Sequence, residues 1–212
     1  MNVSLVQATP DPIETIAKIA SICYDSDPKN PEAMVKRLYL NGHHSVFEHI
    51  YFTFRIDGIS RACSHQVVRH RMCAFTQRSQ RYCSETESKA VVPPSVWTCD
   101  DEAEEIYKAG ILKARTAYSD LTSFHDVPKE DARYLLPNGT QTALYLSCNL
   151  RELIHICQER LCSRAQWEIR MMVGMMRDVV DERLRWMLVP KCESGYLICN
   201  TPCKKSKEDE KP

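Results

Sequence analysis

The chain has 212 residues, 43% of them hydrophobic, and its 28 lysines and arginines are matched by 28 aspartates and glutamates. That neutrality argues against a protein that holds nucleic acid or a membrane surface through its net charge. A chain of this length buries about 70% of the surface it exposes when unfolded, so one domain can fold without a metal or disulfide staple.

Val3 to Val6 alternates as a short strand. Asp11, Pro12 and Glu14 predict a helix start, with Asp11 as N-cap and Ile16, Ile19, Ala20 and Cys23 on one face. A second helix is expected from near Pro31 to the Asn41-Gly42 pair. Ile50, Phe52, Phe54 and Ile56 alternate with polar residues as in a half-buried strand, and Ile59, Ala62, Cys63, Gln66, Val67 and His70 then repeat at helical spacing. Residues 100–125 predict a long amphipathic helix opened by Asp100 and Asp101, with Ile106, Ile111, Ala114, Tyr118 and Leu121 on and around its core stripe. Thr140 to Cys148 reads as a strand. Two capping boxes follow, Asn149 to Glu152 and Ser163 to Gln166, the second opening a helix that runs towards Trp186. The pattern predicts a helix-rich α+β domain over residues 1–203 and a charged, disordered tail over 204–212.

Two compositional features narrow the chemistry. The 11 cysteines are about 5% of the chain, below the roughly 8–10% that marks a disulfide scaffold, and their number is odd. No leader is recognisable and no apolar run approaches the roughly 20 residues that span a bilayer, so we expect a soluble cytoplasmic protein with reduced thiols. The six glycines, at 42, 58, 110, 139, 174 and 195, are too dispersed for a Rossmann or Walker turn. Phosphate would have to be met by arginine forks, hydroxyls and ordinary backbone amides.

The densest polar cluster is Gln66, Arg69, His70, Arg71, Gln77, Arg78, Ser79, Gln80 and Arg81. Gln66, Arg69 and His70 stand at i, i+3 and i+4, which predicts one helical face, and the loop after them can return Ser79 and Arg81. Such forks and hydroxyls suit a phosphate monoester; the plainer reading is a solvated basic face. Arg69-His70-Arg71, seven residues and Ser79 form an RHR(x7)S signature, and four further elements accompany it in order: Gly42 to His49 (GHHSVFEH), Ala132-Arg133 to Leu136-Pro137, Asn149-Leu150-Arg151, and Arg160 through Ala165-Gln166-Trp167-Glu168-Ile169. In these five elements, spanning residues 42–169, the chain resembles the flavin-dependent thymidylate synthases (ThyX).

The resemblance implies methylation of dUMP to dTMP with 5,10-methylenetetrahydrofolate as carbon donor, FAD as hydride carrier and NADPH as reductant. It implies a homotetramer whose active sites are shared between subunits, and a single ThyX-like domain with a small, mostly antiparallel sheet. By similarity, Ser45, Arg69, His70, Arg71, Gln77, Asn149, Leu150, Arg151 and His155 contact FAD. Gln66, Arg69, Gln77, Arg78, Ser79, Gln80, Arg81, Arg133 and Arg160 contact dUMP, with Arg160 as the catalytic residue that favours loss of the pyrimidine N3 proton. Gln77 stands where some members carry glutamate, and Ala74 where some carry serine. Arg151 and Arg160 are nine apart, about 900° of helix, and so are expected on opposite faces.

Other clusters carry less. His43, His44, Glu48 and His49 lack HExxH spacing, so no metal is expected there, and His43 is the one expected to face a ligand. Cys192, Cys199 and Cys203 lack a CxxC pair. Cys63, Cys73 and Cys83 lie beside the signature, where buried or reduced thiols are the simpler reading. The competing function is a single-strand binder using Arg69, Arg71, Arg78 and Arg81 with Phe75 and Tyr82 for stacking; it predicts steep salt dependence, which the enzyme reading does not.

Overall fold

The computed structural model describes residues 1–23, 25 and 28–201. The tail expected over 204–212 and Cys203 lie outside them. Four strands, β1 (Asn2–Ala8), β2 (Tyr51–Ser60), β3 (Ala74–Gln77) and β4 (Gln141–Asn149), form one sheet in the order β1-β2-β4-β3. Leu150 N donates to Ile50 O at one end and Arg61 N to Thr140 O at the other, so β2 and β4 run antiparallel. The helices are α1 (Pro12–Ser21), α2 (Pro31–Leu40), α3 (Arg61–Val67), α4 (Pro94–Trp97), α5 (Asp101–Phe124), α6 (Lys129–Ala132), α7 (Leu150–Arg160) and α8 (Trp167–Asp178). The architecture is the expected helix-rich α+β class with a small antiparallel sheet. Among the described residues no helix is long and apolar enough to cross a membrane.

The chain divides into two compact units. One holds 2–55, 70–75 and 145–212, and the other 56–69, 76–144 and Met1. In the first, α1 packs on α2, and α7 packs on α8 and on the 3-10 turn His44–His49. Ile16 and Ala17 of α1, Phe52 and Phe54 of β2, Leu153 and Ile156 of α7, and Ile169, Met172, Val173 and Met176 of α8 are essentially inaccessible. In the second, α5 packs against α4, α6 and the 3-10 turn Arg133–Leu135.

Several local expectations need correction. Asp11 does not cap α1 with its side chain; it sits in the left-handed region at φ 43°, and its carbonyl takes the Thr15 amide. The helical repeat from Ile59 breaks early, because β2 continues through Ser60, whose hydroxyl caps α3 by accepting the Cys63 amide. α3 therefore ends at Val67, and Arg69 and His70 lie beyond it instead of sharing a helical face with Gln66. Ser163 opens no helix: α8 starts at Trp167, with Gln166 Oε1 accepting from Glu168 N and Ile169 N, and ends at Asp178, well short of Trp186. Along α5 only Tyr118 is buried, while Ile106, Leu112 and Phe124 each expose more than half their surface. The Asn149 box, by contrast, forms: Asn149 Oδ1 accepts the Glu152 amide at 2.9 Å.

Candidate functional site

Within the first unit, the start of α7 and the His44–His49 turn enclose a cavity of about 610 Å³ lined by His44, Glu48, Met72, Asn149, Arg151, Glu152, Ile154, His155, Gln158, Tyr196 and Leu197. His44 and Tyr196 of this lining belong to an aromatic cluster. Tyr39, fully buried, stacks on His44 and meets Phe47, Trp186 and Tyr196 edge-on, and burial pushes its phenol well above the usual range. His44 is further fixed through Nε2 on the Tyr39 carbonyl at 2.9 Å. It is thus His44, not His43, that reaches the cavity. Ser45 stays exposed on the same turn.

His70 is 5% exposed and contacts three residues of α7. Arg160 Nε donates to His70 Nε2 at 3.0 Å, Glu152 Oε1 lies 3.5 Å from Nδ1, and the His155 ring meets the His70 ring edge-on at 5.7 Å. Because an arginine Nε–H can only donate, Nε2 holds the lone pair and the imidazole proton sits on Nδ1, facing Glu152. Arg151 leaves α7 on the opposite side from Arg160 and pairs with Glu48. The two arginines thus make separate contacts, as their nine-residue spacing leads one to expect. The ligand atoms of His70, Glu152 and His155 lie within 4.8 Å of one another, near enough to hold a cation. The Arg160 guanidinium already occupies the Nε2 lone pair, which opposes a second positive charge there.

The second unit gathers the rest of the signature. β3, in a segment expected to be a loop, carries Gln77, whose Nε2 donates to Thr142 Oγ1 at 3.2 Å. Arg78 is anchored by its own amide on Ala143 O and by its guanidinium on Ser84 O, with Glu85 at 3.7 Å. Burial holds the Glu85 carboxyl above its ordinary range despite Arg78 and Arg61. Ser79 Oγ accepts the Arg81 amide at 3.1 Å, which leaves its hydroxyl hydrogen free to donate. Arg81 pairs with Glu130, and Arg133 Nε donates to the Glu130 carbonyl at 2.9 Å. Gln80 is 7% exposed, and its Nε2 has no partner among the described residues. Gln66 is half-buried and Arg69 exposed; Arg71, in the first unit, is exposed as well.

Arg78 and Arg81, two of the four cations that a single-strand binder would use, each have a carboxylate partner in the chain. Sequence patterns do not single out Glu85, and they mark Glu48 and Glu152 only as members of a histidine-rich segment and a capping box, not as partners of Arg151 and His70. For Glu152 a signal exists, since it stands three residues before His155 on α7, but its capping position accounts for it first.

The family model described as thymidylate synthase complementing protein matches residues 4–184. The flavin-dependent thymidylate synthase of Geobacter sulfurreducens is 40% identical, over 94% of each chain. The chain belongs to the flavin-dependent thymidylate synthase family. A second member, from Pyrococcus furiosus, is 37% identical over 92% of this chain and 88% of its own. Among solved structures, ThyX of Helicobacter pylori, described with FAD and dUMP, superposes with a TM-score of 0.74 at 21% identity, covering 89% of this chain and 97% of the other. That likeness concerns the fold. In this thymidylate synthase the five sequence elements therefore fall on defined parts of it: the His44–His49 turn, the loop before β3 with β3 and its exit, the α6 end, the α7 cap, and the α7–α8 junction.

Proposed function

We propose that this thymidylate synthase converts dUMP to dTMP by reductive methylation. A methylene unit from 5,10-methylenetetrahydrofolate replaces the C5 hydrogen, and NADPH with one proton supplies the two reducing equivalents, releasing tetrahydrofolate and NADP+. The observation that carries this reading is the bond between His70 and Arg160, which joins the RHR signature to the R-x4-AQWEI element ninety residues away. The Helicobacter pylori relative, described with FAD and dUMP, supports the ligand pair.

The residues fit the flavin. A 610 Å³ cavity lies within the usual ligand range of about 300–1,000 Å³, and Asn149, Arg151 and His155 offer it amide, guanidinium and imidazole donors. FAD, when bound, relays hydride between the nicotinamide and the one-carbon unit. Ser45, Arg69, His70, Arg71, Gln77, Asn149, Leu150, Arg151 and His155 are assigned to hold it, and Arg151 would exchange Glu48 for an anionic group of the cofactor.

For dUMP we assign Gln66, Arg69, Gln77, Arg78, Ser79, Gln80, Arg81, Arg133 and Arg160. The Ser79 hydroxyl donates to the phosphate, the unpartnered Gln80 amide is a second donor, and Arg81 with Arg133 balances the charge. Arg160 stabilises negative charge on the pyrimidine once N3 loses its proton, which raises electron density at C5. Residues 1–203 act as one catalytic domain in a cytoplasmic homotetramer, with folate and dUMP meeting at sites shared between subunits. An anaerobic assay with dUMP, methylenetetrahydrofolate, FAD and NADPH should yield dTMP and tetrahydrofolate in equal amounts. NADPH oxidation without dTMP would sink the proposal.

A further inference from the structure

Two cysteines that the synthase reading leaves unused face each other beside the flavin cavity. Arg78 N donates to Ala143 O at 2.9 Å and Gln77 Nε2 to Thr142 Oγ1 at 3.2 Å, which registers β3 against β4. The two strands are antiparallel. Counting five residues toward the N-terminus from Arg78 and five toward the C-terminus from Ala143 arrives at Cys73 and Cys148. Arg78 and Ala143 are a hydrogen-bonded pair, so an odd number of steps away lies a non-hydrogen-bonded pair, with Cα atoms about 4.5 Å apart and side chains at their closest. A disulfide needs a Cα separation of about 4.4–6.8 Å. The face is right too: Thr142, Leu144, Leu146 and Cys148 form the buried side of β4, and Gln77, on the Cys73 side of β3, bonds to Thr142.

We propose that Cys73 and Cys148 are a site of reversible oxidation to a disulfide that clasps the loop after the RHR signature to the end of β4. The neighbouring Cys73 thiol, burial and the nearby Glu152 hold the Cys148 thiol well above its ordinary range, so Cys148 keeps its proton. Cys73 is half-exposed and Cys148 only 2% exposed, so the oxidant meets Cys73 first. The oxidant class is a peroxide, which reduced flavin and dioxygen generate. The Cys73 sulfur takes one peroxide oxygen as the O–O bond breaks, and its thiol proton joins the departing hydroxide as water, giving a sulfenic acid. The Cys148 sulfur then attacks Cys73, the S–O bond breaks, the Cys148 proton joins the departing hydroxyl, and water leaves. Two thiols lose two electrons and the peroxide becomes two waters. A dithiol reductant reverses the bond.

Position gives the bond a consequence. Cys73 follows Met72, which lines the cavity, and Cys148 precedes Asn149, which both lines it and caps α7. Cys157, fully buried on α7, also lies near Cys148 and is the competing thiol.

The test treats the full chain with stoichiometric hydrogen peroxide and maps its peptides by mass spectrometry. A single crosslink joining the Cys73 and Cys148 peptides is expected, with loss of about 2 Da, restored by dithiothreitol. Cys73→Ser and Cys148→Ala should each abolish that crosslink. The wild-type map stands even if a variant folds poorly. Unchanged thiols, over-oxidation of Cys73 without a crosslink, or a bond from Cys148 to Cys157 would overturn the proposal. Because no turnover is measured, the result is independent of the assignment of substrate.

Discussion

His70 is the side chain on which the candidate site turns, since one buried ring meets Glu152, His155 and Arg160 at once. Its tautomer is forced by Arg160, which has no lone pair to offer. Arg160→Ala removes the cation and leaves the His70 Nε2 lone pair without its donor. On the dUMP assignment it should retain FAD, read from the bound flavin absorbance, while dTMP formation falls at least about 100-fold, as for other lost transition-state donors. Normal turnover would remove Arg160 from the chemistry. The Glu85, Glu130 and Glu48 carboxylates show the same logic elsewhere. Each quiets an arginine of the signature or of α7, so four arginines within thirteen positions can coexist in a chain whose net charge is zero.

At the scale of elements, α7 does the positioning. Its apolar residues Leu153, Ile154, Ile156 and Cys157 are buried, while Arg151 and Arg160 leave it on opposite sides. Its N-terminus depends on one side chain, Asn149, held at the end of β4. Asn149→Ala should cost about 1 kcal/mol. For a chain of this size that is a fall of roughly 2–4 °C in Tm, measured by calorimetry on flavin-free protein so that lost ligand contacts do not contribute. An unchanged Tm would mean that packing alone sets the helix start. α5 behaves differently. Its spacing is amphipathic, yet Tyr118 is its only buried residue, and the hydroxyl of that tyrosine accepts the Glu85 amide at 3.3 Å. Periodicity reports that a face is apolar; it does not report what covers it.

For the molecule as a whole, strand alternation, the α2 stop at Asn41-Gly42 and the Asn149 cap were legible because each depends on neighbours in sequence. The early end of α3, the late start of α8 and the strand character of 74–77 were not, because each depends on bonds to distant residues, such as Ala143 for Arg78. The family was legible as an ordered set of motifs, which the family match bears out, whereas the geometry around His70 was not. No spacing rule places His70 against Arg160. The exposed Ile106, Leu112 and Phe124 of α5 support the proposed homotetramer. Light scattering after size exclusion should give about four times the 24.5 kDa chain mass. A stable monomer with full turnover would contradict shared sites.

The orphaned Gln80 amide carries a thermodynamic consequence of its own. A buried donor without an acceptor costs about 1–3 kcal/mol, and that penalty falls on the ligand-free chain. An anion seated between Ser79 and Arg81 would remove it, so nucleotide affinity would include relief of a folding defect as well as the new hydrogen bonds and ion pairs. Replacing Gln80 with a well-packed apolar residue would then harden the empty protein against heat and weaken its grip on the nucleotide. On the dUMP assignment, thermostability and affinity pull in opposite directions at this position.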